Sequence, residues 1–176
     1  FKRFIEELDR VPAIQDKPGA LDVSGLKGDI VYDDVSFWYD ESKKILDRVS
    51  LTIRAGETVA FVGPSGAGKT TLCNLLPRFY EIQEGSISVD GIAIQDMTMH
   101  SLRNQIGVVQ QDVFLFPGTI RENIAYGKLD ATDAEIEQAA QMANLDKVIA
   151  EMPQGFDTVI GERGVKLSGG PKQRLP

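Results

Sequence analysis

Apolar residues change their spacing along the chain, and each spacing predicts a different element. From Asp29 to Tyr39 and from Ile45 to Ile53, β-branched and aromatic residues alternate with polar ones, which predicts two half-exposed antiparallel strands. Residues 58–62 are instead continuously apolar and run into a Gly-rich turn, which predicts a strand covered on both faces in a parallel sheet. Helical spacing of leucines then predicts a helix from Lys69 to Tyr80.

The rest of the chain moves from short strands to helices. Two Gly-containing turns, at Glu84-Gly85 and Asp90-Gly91, bound a predicted strand at Ser86–Val89. A helical piece at Ser101–Gln105 precedes a further predicted strand at Ile106–Val109. Beyond Thr119 the pattern is helical in three segments, Ile120–Tyr126, Asp133–Met142 and Leu145–Met152.

The amino-terminal residues are patterned more loosely. Phe1 to Leu8 place apolar residues at helical spacing, whereas Pro12 and the Pro- and Gly-containing stretch Lys17–Lys27 interrupt that spacing. This is typical of the end of a helix followed by a linker. We therefore expect residues 1–27 to link a preceding segment to a domain that occupies residues 28–176.

Composition narrows the class of protein. A chain of 176 residues with 42% hydrophobic content matches one ordinary globular domain. Its net charge of −7 argues against nucleic acid as a partner, because phosphate backbones are bound by clustered Lys and Arg. The single cysteine, Cys73, excludes an internal disulfide, and its apolar surroundings predict a small core residue.

One segment carries specific chemistry. Residues 63–70 match the pattern G-x-x-x-x-G-K-[ST] between a predicted buried strand and a predicted helix, which is the setting of a phosphate-binding loop. The glycines let backbone N–H groups approach a phosphate, and the helix amino terminus adds partial positive charge. The candidate nucleotide-binding residues here are Gly63, Pro64, Ser65, Gly66, Ala67, Gly68, Lys69, Thr70 and Thr71.

Two side chains of this loop have predicted roles toward MgATP. Lys69 is placed to bridge the β- and γ-phosphates, which makes it a catalytic candidate. Thr70 is the metal candidate, because its hydroxyl can join phosphate oxygens and waters around Mg²⁺. The loop predicts ATP and Mg²⁺ as ligands but leaves the reaction open.

The residues around the loop narrow the choice of reaction. Leu167-Ser168-Gly169-Gly170 resembles the ABC signature motif, and Thr158–Gly164 resembles the loop that precedes it in ABC exporters. Three further segments follow the same family in order. The strand that ends in the adenine-stacking aromatic is resembled by Val35–Tyr39, and the Q-loop region by Ile106–Phe116. The exporter continuation of the Q-loop is resembled by Phe116–Ile124. The chain therefore resembles the ATP-binding domain of ABC transporters of the exporter branch.

This resemblance implies an α/β fold, namely a P-loop NTPase (RecA-like) core with an antiparallel β subdomain and an α-helical subdomain at about residues 114–170. It implies that Tyr39 stacks on adenine. It also implies that Gln111 reaches Mg²⁺ or the attacking water, although the neighbouring Gln110 leaves an alternative register. The signature residues that would contact the γ-phosphate of ATP bound to another subunit are Ser168, Gly169 and Gly170.

The partners implied by the resemblance are a second ABC ATP-binding domain in a head-to-tail dimer and a transmembrane domain fused upstream. The chain would then lie at the cytoplasmic face of a membrane. The leading hypothesis is the ATPase motor of an exporter. A nucleotide-binding module without hydrolysis is the alternative, and a soluble ABC protein of DNA repair or translation is disfavoured by the linker and the acidic charge.

The sequence departs from the family pattern in two places. It ends at Pro176, before the positions where the family has its Walker B strand, catalytic glutamate and switch histidine, so we expect an incomplete domain that is inactive alone. We also expect apolar surface on Val59, Phe61 and Val108 to lack packing partners. Pro171 stands where the family has Gln, and its missing amide side chain favours the non-hydrolysing alternative.

Overall fold

The computed structural model describes residues 11–109 and 114–161, so the predicted helix Phe1–Leu8 lies outside the described residues. The chain divides into two compact units, residues 1–107 and 108–176, each of which has its own hydrophobic core. No helix among the described residues is long and apolar enough to cross a membrane.

The first unit contains a four-stranded antiparallel sheet. Its strands are β1 (Ile30–Phe37), β2 (Leu46–Ile53), β3 (Glu84–Val89) and β4 (Ile92–Ala93), in the spatial order β2-β1-β3-β4. The alternating pattern therefore predicted β1 and β2 correctly, and the strand predicted at Ser86–Val89 is confirmed with an earlier start. Val35 and Phe37, two residues apart on β1, lie on the same face of the sheet, and both are almost completely buried in the core.

The helix after the Gly-rich turn packs on this sheet. This helix, α1 (Lys69–Leu75), places Leu72 and Leu75 in the same core as β1. It ends earlier than predicted because Pro77 has no N–H to continue the ladder. Arg78 then takes a left-handed conformation, with φ 53°, and its N–H donates to the Leu75 carbonyl as in a Schellman cap.

The prediction that Cys73 is a core residue is wrong, since the residue is exposed. An apolar run does not say which face of a helix is buried. With Leu72 and Leu75 turned inward, the 100° rotation per residue places Cys73 on the outer face.

The covered strand predicted at 58–62 and the further strand predicted at 106–109 are also wrong as elements, because neither segment is a strand in the structure. A covered parallel strand needs a hydrogen-bonded neighbour at its side, and no described strand pairs with either segment. The expected exposure of their apolar residues is confirmed. Val59 is 45%, Phe61 36% and Val108 47% exposed.

Part of the predicted linker is packed on the first unit. Leu21 forms a parallel bridge with Met97, and its N–H donates to the Asp96 carbonyl at 2.8 Å. The side chain of Arg78, almost fully buried, donates to the Gln15 carbonyl at 3.2 Å. Asp16 accepts from the N–H of Met99, the first residue of helix α2 (Met99–Arg103). These contacts hold residues 15–21 against the domain.

The second unit is mainly helical. Its elements are a two-stranded ribbon, β5 (Gly118–Thr119) with β6 (Val159–Ile160), and the helices α3 (Ile120–Ile124), α4 (Asp133–Met142) and α5 (Asp146–Ala150). The prediction for α4 is confirmed at both ends, while α3 and α5 are shorter than predicted. Capping boxes start α3 at Thr119 and α4 at Thr132. The buried core of this unit is Ile120, Ala140, Leu145, Ile149 and Ile160.

Candidate nucleotide-binding site

The Gly-rich loop leads into α1 through two glycines in the left-handed region. Gly66 has φ 80° and Gly68 has φ 84°, a conformation that costs other L-residues about 1–2 kcal/mol. A Cβ atom on Gly68 would lie 2.8 Å from Leu46 Cδ2, whereas one on Gly66 would meet no atom within 4 Å. Gly68 is therefore required both for its backbone conformation and for its close approach to β2.

Lys69 follows as the first residue of α1 and is half-buried. Its Nζ donates to the carbonyl oxygens of Gly63, at 2.9 Å, and Pro64, at 2.7 Å. These contacts fold the lysine over the loop, so its ammonium group lies where the loop backbone curves. Thr70 is exposed at the next position.

A tyrosine of strand β1 holds helix α1 against the sheet. The hydroxyl of Tyr32 on β1 donates to the Leu72 carbonyl at 3.0 Å, and burial raises the pKa of this phenol well above its ordinary value. The hydroxyl therefore stays protonated and remains a donor. This bond holds the helix that carries Lys69 and Thr70 against the sheet.

Tyr39 lies just beyond β1 and beside the start of α1. Its hydroxyl is 3.0 Å from Oγ1 of Thr71, a buried residue in the first turn of α1. Its ring makes edge contacts with Phe37, at 4.9 Å between centroids, and with Tyr80, at 5.1 Å. The residue nevertheless remains 53% exposed, which leaves area on which a flat base can stack.

The structure thus brings together Tyr39, Thr71 and, through α1, Lys69 and Thr70. Two contributors were missed by sequence reasoning. Tyr80 packs against Tyr39, and Tyr32 anchors the helix. Tyr32 follows the alternating pattern of a core strand residue, so no sequence signal separates its hydroxyl from ordinary packing. The remaining predicted site residues, Gln111, Ser168, Gly169 and Gly170, lie outside the described residues.

The second unit carries an exposed aromatic cluster on the residues that follow the predicted Q-loop. The rings of Phe116 and Tyr126 stack at 4.2 Å, and Phe114 meets Phe116 edge-on at 5.2 Å. Buried Asn123 fixes the backbone at this point, because its side chain accepts from the Phe116 N–H and donates to the Phe116 carbonyl. Phe114 and Tyr126 remain 68% and 60% exposed.

The loop geometry and the sheet that supports it define a protein of the P-loop nucleotide-binding class. The family described as "ABC transporter" matches residues 46–176, and the chain belongs to this family. An uncharacterized ABC transporter ATP-binding protein, YwjA of Bacillus subtilis, is 63% identical over 99% of the chain. An ATP-dependent lipid A-core flippase of Desulfotalea psychrophila is 52% identical over 99% of the chain.

A solved structure agrees with these sequence relatives. A bacterial Atm1-family ABC exporter with ATP bound matches 99% of the chain with a TM-score of 0.91 and 45% identity. The chain spans about 30% of the length of each of these three proteins. The P-loop NTPase fold predicted from the sequence is confirmed by this match, and its antiparallel β part is the β1–β4 sheet.

Proposed function

We propose that this chain is the ATP-binding part of the motor domain of an ABC exporter, which hydrolyses ATP to drive the export of a substrate. The observation that carries the proposal is the contact between Tyr39 and Thr71. It joins an exposed aromatic ring to the helix that follows the phosphate loop, in a chain of the ABC transporter family. ATP needs an aromatic surface for its base and a phosphate-binding loop for its triphosphate close to one another.

The described residues divide the work of binding ATP. The ring of Tyr39 supports the adenine, and the N–H groups of the loop with Lys69 hold the β- and γ-phosphates. For this, Lys69 exchanges its bonds to the Gly63 and Pro64 carbonyls for phosphate oxygens. The hydroxyl of Thr70 would hold Mg²⁺, which neutralises phosphate charge when bound. An exposed hydroxyl at the start of α1 fits a metal that takes most ligands from phosphate and water.

The remaining roles in ATP hydrolysis belong, in this proposal, to residues that the structure does not describe. We infer that Ser168, Gly169 and Gly170 contact ATP bound to a second ABC domain, and that Gln111 orients the attacking water. ATP would then join two domains head to tail, and hydrolysis would release them. In this proposal residues 28–176 belong to the ATP-binding domain and residues 1–27 connect it to the membrane domain.

The experiment is ATP hydrolysis by the full-length protein as protein concentration is raised. The proposal predicts activity that rises more steeply than linearly, together with a dimer when ATP is trapped. Lys69→Ala should abolish turnover, whereas Lys147→Ala, at an exposed position of α5, should leave it unchanged. Activity strictly proportional to concentration, with no dimer on trapped ATP, would contradict the proposal.

A second candidate function is an ATP-binding module that does not hydrolyse ATP, and Pro171 in the signature motif favours it. Proline supplies neither the amide side chain nor the backbone N–H of the Gln found there in the family. ATP binding that depends on Lys69, with no turnover in the unmutated full-length protein, would support this module over the exporter motor.

We further infer that the aromatic cluster of Phe114, Phe116 and Tyr126 contacts the membrane domain. Exposed apolar patches of this kind mark interaction surfaces, and Asn123 holds this one in a fixed conformation. Tyr126→Ala should lower ATP hydrolysis by the full-length protein in membranes without changing ATP affinity. Met142→Ala is the control, because Met142 is 79% exposed in the same unit but outside the cluster.

A further inference from the structure

An exposed glutamine pairs with the backbone of the residue that precedes Tyr39. Gln83 Nε2 donates to the Trp38 carbonyl at 3.1 Å, and Gln83 Oε1 accepts from the Trp38 N–H at 3.1 Å. The N–H of Gln83 donates to the Ser36 carbonyl at 3.3 Å. The side-chain amide of Gln83 therefore pairs with the backbone N–H and carbonyl of Trp38, as the backbone of a neighbouring strand would.

This pairing extends the sheet by one residue. The ladder between β1 and β3 ends at the pair Ser36 and Glu84, and β1 itself ends at Phe37. Gln83 satisfies both backbone groups of Trp38 beyond that end. Because the two bonds hold the peptides on both sides of Trp38, they also set the direction in which the chain enters Tyr39.

A second set of contacts holds the same turn from the opposite side. The Ile45 N–H donates to the Phe37 carbonyl at 2.8 Å, and Lys44 Nζ lies 5.5 Å from the centroid of the Trp38 ring. Trp38 is thus held between Gln83 and the start of β2. The Tyr39 ring itself packs edge-on against Phe37 and Tyr80, and its hydroxyl lies beside Oγ1 of Thr71.

We propose that Gln83 is a positioning residue for adenine recognition: it fixes the backbone that presents the Tyr39 ring to the base. The proposal rests on the proposed function, since it takes Tyr39 as the stacking surface for adenine. In this proposal Gln83 acts through the backbone of Trp38 and contacts neither the nucleotide nor the phosphate loop. Its loss should therefore weaken binding of ligands that carry a base and spare ligands that consist of phosphate alone.

The test compares two ligands in the full-length protein, ATP in the presence of EDTA and inorganic tripolyphosphate, by isothermal titration calorimetry. Gln83→Leu removes both bonds at similar volume, and we expect ATP affinity to fall about three- to tenfold, as for two exposed hydrogen bonds. Tripolyphosphate affinity should stay unchanged. Gln15→Leu is the matched control, because Gln15 is an exposed glutamine that also donates to a backbone carbonyl, that of Pro12.

Two further variants make every outcome decisive. Gln83→Glu can accept from the Trp38 N–H but, when ionised, cannot donate to the Trp38 carbonyl. It should therefore also lower the affinity for ATP and leave the affinity for tripolyphosphate unchanged. It serves as the test if Gln83→Leu does not fold. Tyr39→Ala is the reference for complete loss of stacking, and its effect should exceed that of either Gln83 variant.

The outcomes separate this proposal from the proposed function. If Tyr39→Ala weakens ATP binding and both Gln83 variants leave it unchanged, the role of Gln83 is overturned and the proposed function stands. An equal loss for ATP and tripolyphosphate in Gln83→Leu would make the residue structural and would also overturn its role. If the unmutated protein binds neither ligand, the proposed function itself fails.

Discussion

The two sides of the candidate site are built in different ways. On the sheet side, the Tyr39 ring is fixed by ring contacts and by bonds from distant parts of the chain, and the end of β1 that precedes it, Val35–Phe37, is buried. On the loop side, residues 59–67 are exposed, and Lys69 bonds to backbone carbonyls of its own loop. The Tyr39 ring is thus held by tertiary contacts, and the loop by local backbone conformation.

This contrast indicates where each surface obtains its specificity. A stacking surface needs only one ring at a fixed angle, which a sheet and its core can supply. A phosphate cradle needs several N–H groups directed inward, which glycines in left-handed conformations can supply. Substitutions in the core should therefore act on stability, and substitutions in the loop should act through glycine conformation.

The largest effect is expected at Leu75, which joins α1 to the sheet and is fully buried. Leu75→Ala should lower the free energy of unfolding by about 2–5 kcal/mol, because it removes buried methyl groups and leaves a cavity. Urea-induced unfolding measures this change. Cys73→Ala, two residues away on the exposed face of the same helix, should stay within about 0.5 kcal/mol. Equal losses of unfolding free energy in both variants would show that α1 does not have one buried and one exposed face.

The next effect is expected at Gly68. Gly68→Ala should destabilise by about 1–2 kcal/mol through its positive φ, and somewhat further because its Cβ would crowd the Leu46 side chain and the Ile45 carbonyl oxygen. Gly66→Ala, with a similar φ but open space, should show only the first part. Unfolding of both variants gives the difference directly. If they lost the same stability, the close approach of Gly68 to β2 would not matter.

The sequence predicted the elements whose burial is decided locally. Alternation along β1 and β2 specifies which face is covered, and helical spacing alone predicted α4 with both its ends. The sequence failed at residues 58–62, because an apolar run specifies neither a strand partner nor exposure. It failed at Cys73 for a related reason, since the run around it fits either face of α1.

The candidate site divides in the same way. The phosphate loop is a local motif, so its residues were predicted from their spacing alone, and their roles toward ATP stay predictions. The bond between Tyr39 and Thr71 joins a strand end to a helix start, and the bonds from Gln83 to Trp38 join β1 to β3. No spacing in the sequence encodes such long-range contacts, because they depend on how the sheet pairs.

A smaller effect is expected when only the hydroxyl of Tyr39 is removed. Tyr39→Phe keeps the stacking ring but loses its bond to Thr71, so ATP affinity should fall about two- to tenfold, as for one partly buried hydrogen bond. Calorimetry with ATP measures the loss. Tyr126→Phe, at an exposed tyrosine of the second unit, is the control and should leave the affinity unchanged. A loss in Tyr39→Phe as large as in Tyr39→Ala would show that the hydroxyl, and not the ring, carries the interaction.

The smallest effect is expected at Asp90, at the turn between β3 and β4. Its carboxylate accepts from the N–H groups of Asp29 at 2.9 Å, Lys27 at 2.6 Å and Gly28 at 3.1 Å, and these bonds, that from Asp29 first, lower the pKa of Asp90 below its ordinary value. A lowered folded-state pKa stabilises the fold above the unfolded-state pKa, and this stability is lost as pH falls through the folded-state value.

Asp90→Asn tests this, because asparagine tolerates the positive φ of 50° at this position but carries no charge. The urea midpoint of the unmutated protein should exceed that of the variant at neutral pH. The difference should shrink below about pH 4, where the carboxylate becomes protonated. Asp130→Asn, at an exposed loop position of the second unit, should show no comparable difference. If the difference between the unmutated protein and Asp90→Asn were independent of pH, the effect would come from hydrogen-bond geometry and not from the charge of the carboxylate.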